Sequence, residues 1–210
     1  MPLCPSAVIR PAILSLSLAL LSGCGAVSAL SEATTELDAY TLSAPAPDSP
    51  PAPGRGHLVV EAPSAPGALA TDRILIKPLR YQAQYLENGR WSEPAPAQVQ
   101  TLLVSAFQNM GGFRLVGRTG AGLMPDYTLM TDLQSFQAEP SGSDAAPITV
   151  KISAIMTLIR EDDRRIAATR RFDATATVAS DDTRAVVAGF DAAMRDMLPQ
   201  IVRWTQSQTR

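Results

Sequence analysis

Few side chains in this 210-residue chain could act as nucleophiles, bases or metal ligands: it has two cysteines, Cys4 and Cys24, and one histidine, His57. Ser-His-Asp and Cys-His catalysis need a histidine beside the nucleophile, and zinc is held mainly by Cys and His. His57 follows a Pro- and Gly-rich stretch, where a solvated loop residue is expected. The sequence therefore predicts no catalytic residue of these classes, no metal site and no cofactor site.

Two pairs of adjacent carboxylates are the remaining candidates for acid–base chemistry, at 162–163 and at 181–182. The first pair belongs to a charged cluster between two alternating segments, which is typical of a hairpin turn. The second pair precedes a segment of helical periodicity, where an aspartate caps the first turn. Carboxylates on solvated turns and caps seldom form a catalytic dyad. We therefore expect a protein that is not an enzyme.

The overall composition argues against a nucleic-acid partner. The chain has 18 Lys and Arg against 20 Asp and Glu, a formal net charge of −2, and only 5% aromatic residues. Nucleic-acid binding draws on cations that neutralise phosphates and on aromatic rings on which bases stack. Neither is abundant here.

A different chemistry is available to Cys24. Residues 11–22 (PAILSLSLALLS) are apolar apart from serine, too short to span a bilayer, and typical of the apolar region of a signal peptide. They lead into LSGC at 21–24, which resembles the bacterial lipobox: small residues fit the peptidase, and the cysteine thiol takes a diacylglycerol as a thioether. The prediction is a cleaved signal peptide over residues 1–23 and a lipidated Cys24. An ordinary signal peptide that contains a cysteine is the alternative.

The residues after Cys24 predict the membrane to which the protein is sorted, and a linker. In lipoproteins of this type an aspartate after the cysteine tends to retain the protein at the inner membrane, so Gly25 indicates the periplasmic face of the outer membrane. Residues 24–56 are rich in Pro and Ala without apolar periodicity and predict a semi-extended linker. One island, Tyr40-Thr41-Leu42, could add an edge strand. With Cys4 removed and Cys24 alkylated, the domain at 57–210 has no disulfide.

Alternating or short apolar runs predict the strands of that domain. The charged cluster at 161–164 predicts a hairpin turn, and Glu87-Asn88-Gly89 predicts another. Loops are predicted at 117–122 and 140–147. The predicted strands are 58–60, 73–77, 80–85, 113–116, 127–133, 152–158 and 166–178.

Two segments carry apolar residues at the spacing of one buried helical face. The first helix is predicted to begin near Pro94 and Pro96 and to end at Gly111-Gly112. The second is predicted to begin at Asp181 or Asp182 and to extend to Trp204, with a kink caused by Pro199. The expected fold is a single α/β domain with a mixed β-sheet and two main amphipathic helices, preceded by the lipoprotein signal peptide and the Pro-rich tether.

Several short motifs resemble the PqiC-like family of auxiliary lipoproteins of ABC-type transport systems. The Arg-Trp-x-x-Pro pattern before the first helix is the most specific of them. The matching pieces are the lipobox at Cys24, YTL at 40–42, LVVE at 58–61, DRILI at 72–76, RWSEP at 90–94, FRLV at 113–116 and YTL at 127–129.

The resemblance implies a non-catalytic accessory or adaptor role in the traffic of lipids or hydrophobic solutes between two membranes. The implied partners are an MCE-domain protein with its ABC permease and ATPase, and the membrane itself through the lipid anchor. A second copy of the chain is left open as a further partner. The alternative is a structural or assembly lipoprotein of the envelope with no role in transport.

Arg90 and Trp91 are the candidate partner-binding residues, because exposed Arg and Trp side chains are enriched at interface hot spots. The alternative is that Trp91 packs beneath the following helix and Arg90 is an ordinary surface residue.

Overall fold

A computed structural model describes residues 37–47, 54–120, 122, 124–141 and 147–209. The predicted signal peptide, Cys24 and Gly25 lie outside these residues, as do residues 48–53 of the predicted linker and 142–146 of the predicted 140–147 loop. The described residues belong to one compact unit that begins at Leu37.

The described strands form one mixed sheet, on which two helices pack. Three long strands, β6 to β8, form an antiparallel meander at one side, and β2 and β3 both pair with the other edge of β6, in parallel, at its two ends. The elements are β1 (Ala39–Tyr40), β2 (His57–Val60), β3 (Arg73–Ile76), β4 (Gln84–Trp91), α1 (Ala95–Met110), β5 (Leu115–Arg118), β6 (Tyr127–Pro140), β7 (Ile148–Arg160), β8 (Arg165–Val178) and α2 (Thr183–Gln208).

Buried side chains alternate with more exposed ones along the long strands, and this alternation determines which face of the sheet the helices cover. On β7 every second side chain is buried, and these residues are Val150, Ile152, Ala154, Met156 and Leu158. Helix α2 packs on β7 and β8, α1 packs on β2 and β5, and the two helices contact each other. The predicted α/β fold with a mixed sheet and two amphipathic helices is confirmed.

The helix ends follow their sequence signals. Helix α1 ends at Gly111, whose positive φ of 73° suits glycine and whose N–H donates to the carbonyl oxygen of Phe107 at 2.9 Å. Helix α2 is capped by Asp182, whose carboxylate accepts from the N–H groups of Arg184 and Ala185 at 3.0 and 3.2 Å. The helix is continuous through Pro199 and ends at Gln208.

The predicted turn at Glu87-Asn88-Gly89 is wrong, because β4 runs straight through these residues. Gly89 serves close packing instead of a turn: a Cβ atom there would lie 2.7 Å from the Thr183 side chain and 2.8 Å from the Tyr40 ring. The turn lies earlier, between β3 and β4, where the N–H of Gln82 donates to the carbonyl oxygen of Leu79 at 3.0 Å.

The domain also begins before the predicted boundary at residue 57. Strand β1 pairs in parallel with β4 as an edge strand that overlaps the predicted island at Tyr40, and Leu42 is buried in the core. The N–H of Ser43 donates to the Asp191 carboxylate at 2.7 Å, and the Asn109 amide donates to the carbonyl oxygen of Pro45 at 2.8 Å. Residues 37–47 of the predicted linker are therefore held against both helices.

Candidate interaction surfaces

The strand directions give the domain two ends. We call the first the entry end; it carries the β3–β4 turn (residues 77–83), the last residue of β6 and the start of α2. Strand β1 is parallel to β4 and pairs with its last two residues, so β1 runs away from this end. We call the opposite end the far end; it carries the β7–β8 turn (residues 161–164) and the residues that precede β6.

The entry end holds two adjoining clefts. The larger, of about 600 Å³, is polar and its lining includes Asp38, Gln84, Glu87, Asp181 and Arg184. The smaller, of about 230 Å³, is mostly apolar and is lined by Ile76, Pro78, Leu86, Ala138, Pro140, Ile148, Asp181 and Val186. Above them, the turn exposes 52% of Leu79 and 89% of Tyr81.

The far end holds an open cleft of about 760 Å³ whose walls are dominated by charged side chains. Three separate stretches of sequence contribute to it, around Arg55, around Asp126 and along residues 160–164. The exposed Met124 also lines the cleft, and Ile166, 65% exposed, lies just beyond the β7–β8 turn.

The charges of the β7–β8 turn are paired with one another. Arg160 donates to the Asp163 carboxylate at 2.7 Å and lies 3.1 Å from an Asp162 oxygen. This hydrogen bond lowers the pKa of Asp163 and raises the pKa of Arg160. Arg164 closes the turn in the left-handed region, at φ 55°. The 162–163 carboxylate pair thus belongs to an exposed ion-pair cluster on a turn, as the sequence predicts.

Strand β8 is the outer strand of the meander and, among the described strands, pairs only with β7. Arg171 pairs with Asp173 on its own strand at 3.0 Å, and the Arg170 guanidinium lies 4.9 Å from the centre of the Phe172 ring. Both arginines thus interact with neighbours on β8 itself.

The two residues predicted to bind a partner differ in burial. Trp91 is 1% exposed, with its ring 5.6 Å from Phe136 and 5.2 Å from Phe190 of α2. The expectation of an exposed recognition patch is therefore wrong for Trp91, which is buried as in the alternative but packs on β6 and α2. Arg90 stays at the surface, 3.5 Å from the Asp72 carboxylate.

Two further properties bear on function. In the described part of the chain, no group of three or more His, Cys, Asp or Glu side chains is arranged to hold a metal ion. No helix of that part is long and apolar enough to cross a membrane.

The chain is similar to proteins of one family over most of its length. Residues 40–202 match the family model of the ABC-type transport auxiliary lipoprotein component. An uncharacterized Bradyrhizobium diazoefficiens protein, bll6063, is 25% identical over 148 residues, which is 70% of this chain but 39% of that protein. The chain thus spans about two fifths of the length of this curated relative.

Solved structures agree with the family match. The crystal structure of XCC0632 from Xanthomonas campestris, of the DUF330 family, has a TM-score of 0.72 and 26% identity and covers 81% of this chain and 95% of its own. A second crystal structure, of an uncharacterized protein, has a TM-score of 0.63 at 20% identity, covers 81% of this chain and 99% of its own, and supports the fold alone. Because the family model spans most of the chain, from strand β1 to the last turns of α2, this protein belongs to the family of ABC-type transport auxiliary lipoprotein components.

Proposed function

We propose that the protein is a non-catalytic adaptor that is anchored by lipid at the periplasmic face of the outer membrane and serves an MCE/ABC-type intermembrane transport system. The cargo class is lipid or another hydrophobic solute. Family membership supports a transport-system partner and an association with a membrane. The lipobox at Cys24 and the following Gly25 support the anchor and its outer-membrane address.

The observation that carries the proposal is the docking of residues 37–47 onto the domain. Strand β1, Leu42 and the hydrogen bonds of Ser43 and Pro45 hold this segment against the sheet and both helices. Only residues 25–36 then separate Cys24 from the domain, and a fully extended chain of that length spans about 45 Å. An anchor at Cys24 therefore keeps a rigid domain close to the bilayer.

The far end is the surface we assign to the protein partner. It combines the exposed apolar side chains of Met124 and Ile166 with the charged rim of the 161–164 turn. An apolar centre within a polar rim is the usual anatomy of a protein–protein interface. The short tether raises the local concentration of this surface at the membrane, so that a modest affinity suffices, while the inner-membrane ATPase supplies the energy of transport.

A pair of substitutions next to the lipobox tests this proposal. Cys24→Ser should abolish labelling with radioactive palmitate and release the protein from the membrane fraction. Gly25→Asp should preserve labelling but move the protein to the inner membrane, because this position carries the sorting signal. Both variants should fail to restore resistance to detergent in a strain that lacks the gene, whereas Gly25→Ala should restore it.

The outcomes separate the alternatives. If deletion of the gene leaves detergent resistance unchanged while deletion of the MCE protein lowers it, the transport role fails and a structural envelope lipoprotein takes its place. If Gly25→Asp restores resistance from the inner membrane, the outer-membrane address is wrong. If Cys24→Ser still labels with palmitate, the anchor is elsewhere.

A further inference from the structure

The β3–β4 turn displays apolar side chains that the core does not use. Residues 77–83 (KPLRYQA) form a tight hairpin tip, closed by the hydrogen bond from Gln82 to Leu79. Leu79 is 52% exposed and Tyr81 is 89% exposed, although their strand neighbours Ile74 and Leu75 are fully buried. The tip therefore carries a leucine and a tyrosine that contact little of the protein.

The surroundings of the tip extend this apolar surface. Ile76 and Gln84 pair at the base of the hairpin, and Ile76 and Pro78 line the apolar cleft of about 230 Å³. Two cations lie on the tip itself: Arg80 stands between Leu79 and Tyr81 in sequence, and Lys77 is the first residue of the tip. Four acidic residues of this end, Asp38, Glu87, Asp181 and Asp182, line the polar cleft near the hairpin base. Glu139, at the end of β6, pairs with Lys151 and is also close enough to Lys77 for that cation to lower its pKa.

The described chain begins near the cleft at the base of the tip. Strand β1 pairs in parallel with the last two residues of β4, which starts directly after the tip, so residues 37 and 38 lie on the tip's side of β1. Asp38, immediately before β1, lines the same cleft as Gln84, the first residue of β4. The segment 25–36 is therefore attached beside the cleft that adjoins the tip with Leu79 and Tyr81.

We infer that the 77–83 hairpin tip is a second membrane contact, whose ligand is the lipid surface of the bilayer that holds the anchor. Leu79 enters the boundary of the acyl chains, Tyr81 lies at the level of the headgroups, and Lys77 and Arg80 face the lipid phosphates. Tyrosine at the interface and basic residues beside it are the usual composition of such contacts. This inference rests on the proposed lipid anchor, and it fixes which end of the domain faces the bilayer.

The test uses the full mature protein, purified from membranes and reconstituted in vesicles of phosphatidylethanolamine and phosphatidylglycerol. Its native thiol at Cys24 is consumed by acylation, so a single cysteine introduced by Tyr81→Cys takes an environment-sensitive NBD label. Arg164→Cys, on an exposed turn at the far end, is the matched control. Quenchers attached to lipid acyl chains should reduce the NBD emission at position 81 several-fold more than at position 164.

A second variant distinguishes a specific contact from mere proximity. Leu79→Asp in the Tyr81→Cys background should make position 81 as insensitive to the lipid quenchers as position 164, while the far-UV circular dichroism stays unchanged because Leu79 is exposed. Equal quenching at positions 81 and 164 in acylated protein overturns the inference. Protection of position 81 from water only when the transport partner is added assigns the tip to a protein and also overturns it.

The mass of the N-terminal peptide shows whether Cys24 is acylated. It therefore distinguishes a failure of the membrane contact at the tip from a failure of the proposed anchor. An acylated N-terminus with an unquenched label at position 81 refutes the membrane contact and leaves the anchored adaptor intact. A non-acylated N-terminus refutes the anchor. In that case the flotation of Tyr81→Cys and Leu79→Asp proteins with the same vesicles decides the tip separately: equal flotation refutes the contact.

Discussion

The two ends of the domain are built from different chemistry. The entry end exposes Leu79 and Tyr81 beside an apolar cleft, and Asp38, near the start of the described chain, lines the adjoining polar cleft. The far end exposes a paired cluster of charges on the 161–164 turn. The contrast teaches that one domain can carry two exposed surfaces of different composition, an apolar hairpin tip at one end and apolar side chains within a charged rim at the other.

The largest effect is expected in the core that both ends share. Trp91→Ala removes a fully buried ring that packs on Phe136 and Phe190, and should lower the free energy of unfolding by about 3–5 kcal/mol. Arg90→Ala removes only a surface ion pair with Asp72 and should cost less than about 1 kcal/mol. Urea denaturation of both variants checks this. Equal, small effects would mean that Trp91 is not part of the core.

A smaller loss should come from crowding the entry end. Gly89→Ala places a Cβ atom 2.7 Å from Thr183 and 2.8 Å from Tyr40, which would push β1 or the start of α2 away from β4. The expected cost is about 1–3 kcal/mol. The matched control is Gly67→Ala, whose Cβ meets nothing within 4 Å. If both variants have the same midpoint of thermal denaturation, the close packing of β1 and α2 around Gly89 does not contribute to the stability of the domain.

The cap of α2 offers a milder change at the same end. Asp182→Ala removes the acceptor of two backbone N–H groups and should cost about 1 kcal/mol. Asp182→Asn keeps an acceptor oxygen and should restore most of the loss. Hydrogen exchange of the first turn of α2 would show the effect locally. Unchanged exchange in Asp182→Ala would contradict the capping role.

The smallest effect should appear at the far end, on acidification. Arg160 lowers the pKa of Asp163, so the folded state favours the ionised carboxylate. The stability from this pair is present above the ordinary aspartate pKa and is lost as the pH falls through the lowered folded pKa. Asp163→Asn should remove this part of the pH dependence, while Asp162→Asn should retain it. An NMR titration that finds an ordinary or raised pKa at Asp163 contradicts the pairing.

Local patterns predicted much of this fold. The alternation of β6 to β8, the helical spacing in α1 and α2, the glycine that ends α1 and the aspartate that caps α2 all depend on neighbours close in sequence. The predicted turn at Gly89 failed because glycine serves two purposes, turns and close approach. Only the positions of Thr183 and Tyr40, remote in sequence, show which applies.

The candidate surfaces were harder to predict from the sequence for the same reason. The far-end cleft joins Arg55, Asp126 and residues 160–164, and only the sheet topology brings these together. Trp91 in a conspicuous motif favoured a binding residue, yet the rings of Phe136 and Phe190 enclose it. Leu79 and Tyr81 fell beside or within a predicted strand, and their exposure follows from the turn that the hydrogen bond of Gln82 closes.

The central claim is that the entry end faces the membrane and the far end faces the transport partner. Photo-crosslinking in living cells tests it most directly, with the same photoreactive amino acid placed at Tyr81 or at Ile166, both largely exposed. The account predicts an adduct with the MCE protein from position 166 and adducts with lipid, but none with that protein, from position 81. A protein adduct from position 81 together with lipid adducts from position 166 would contradict it.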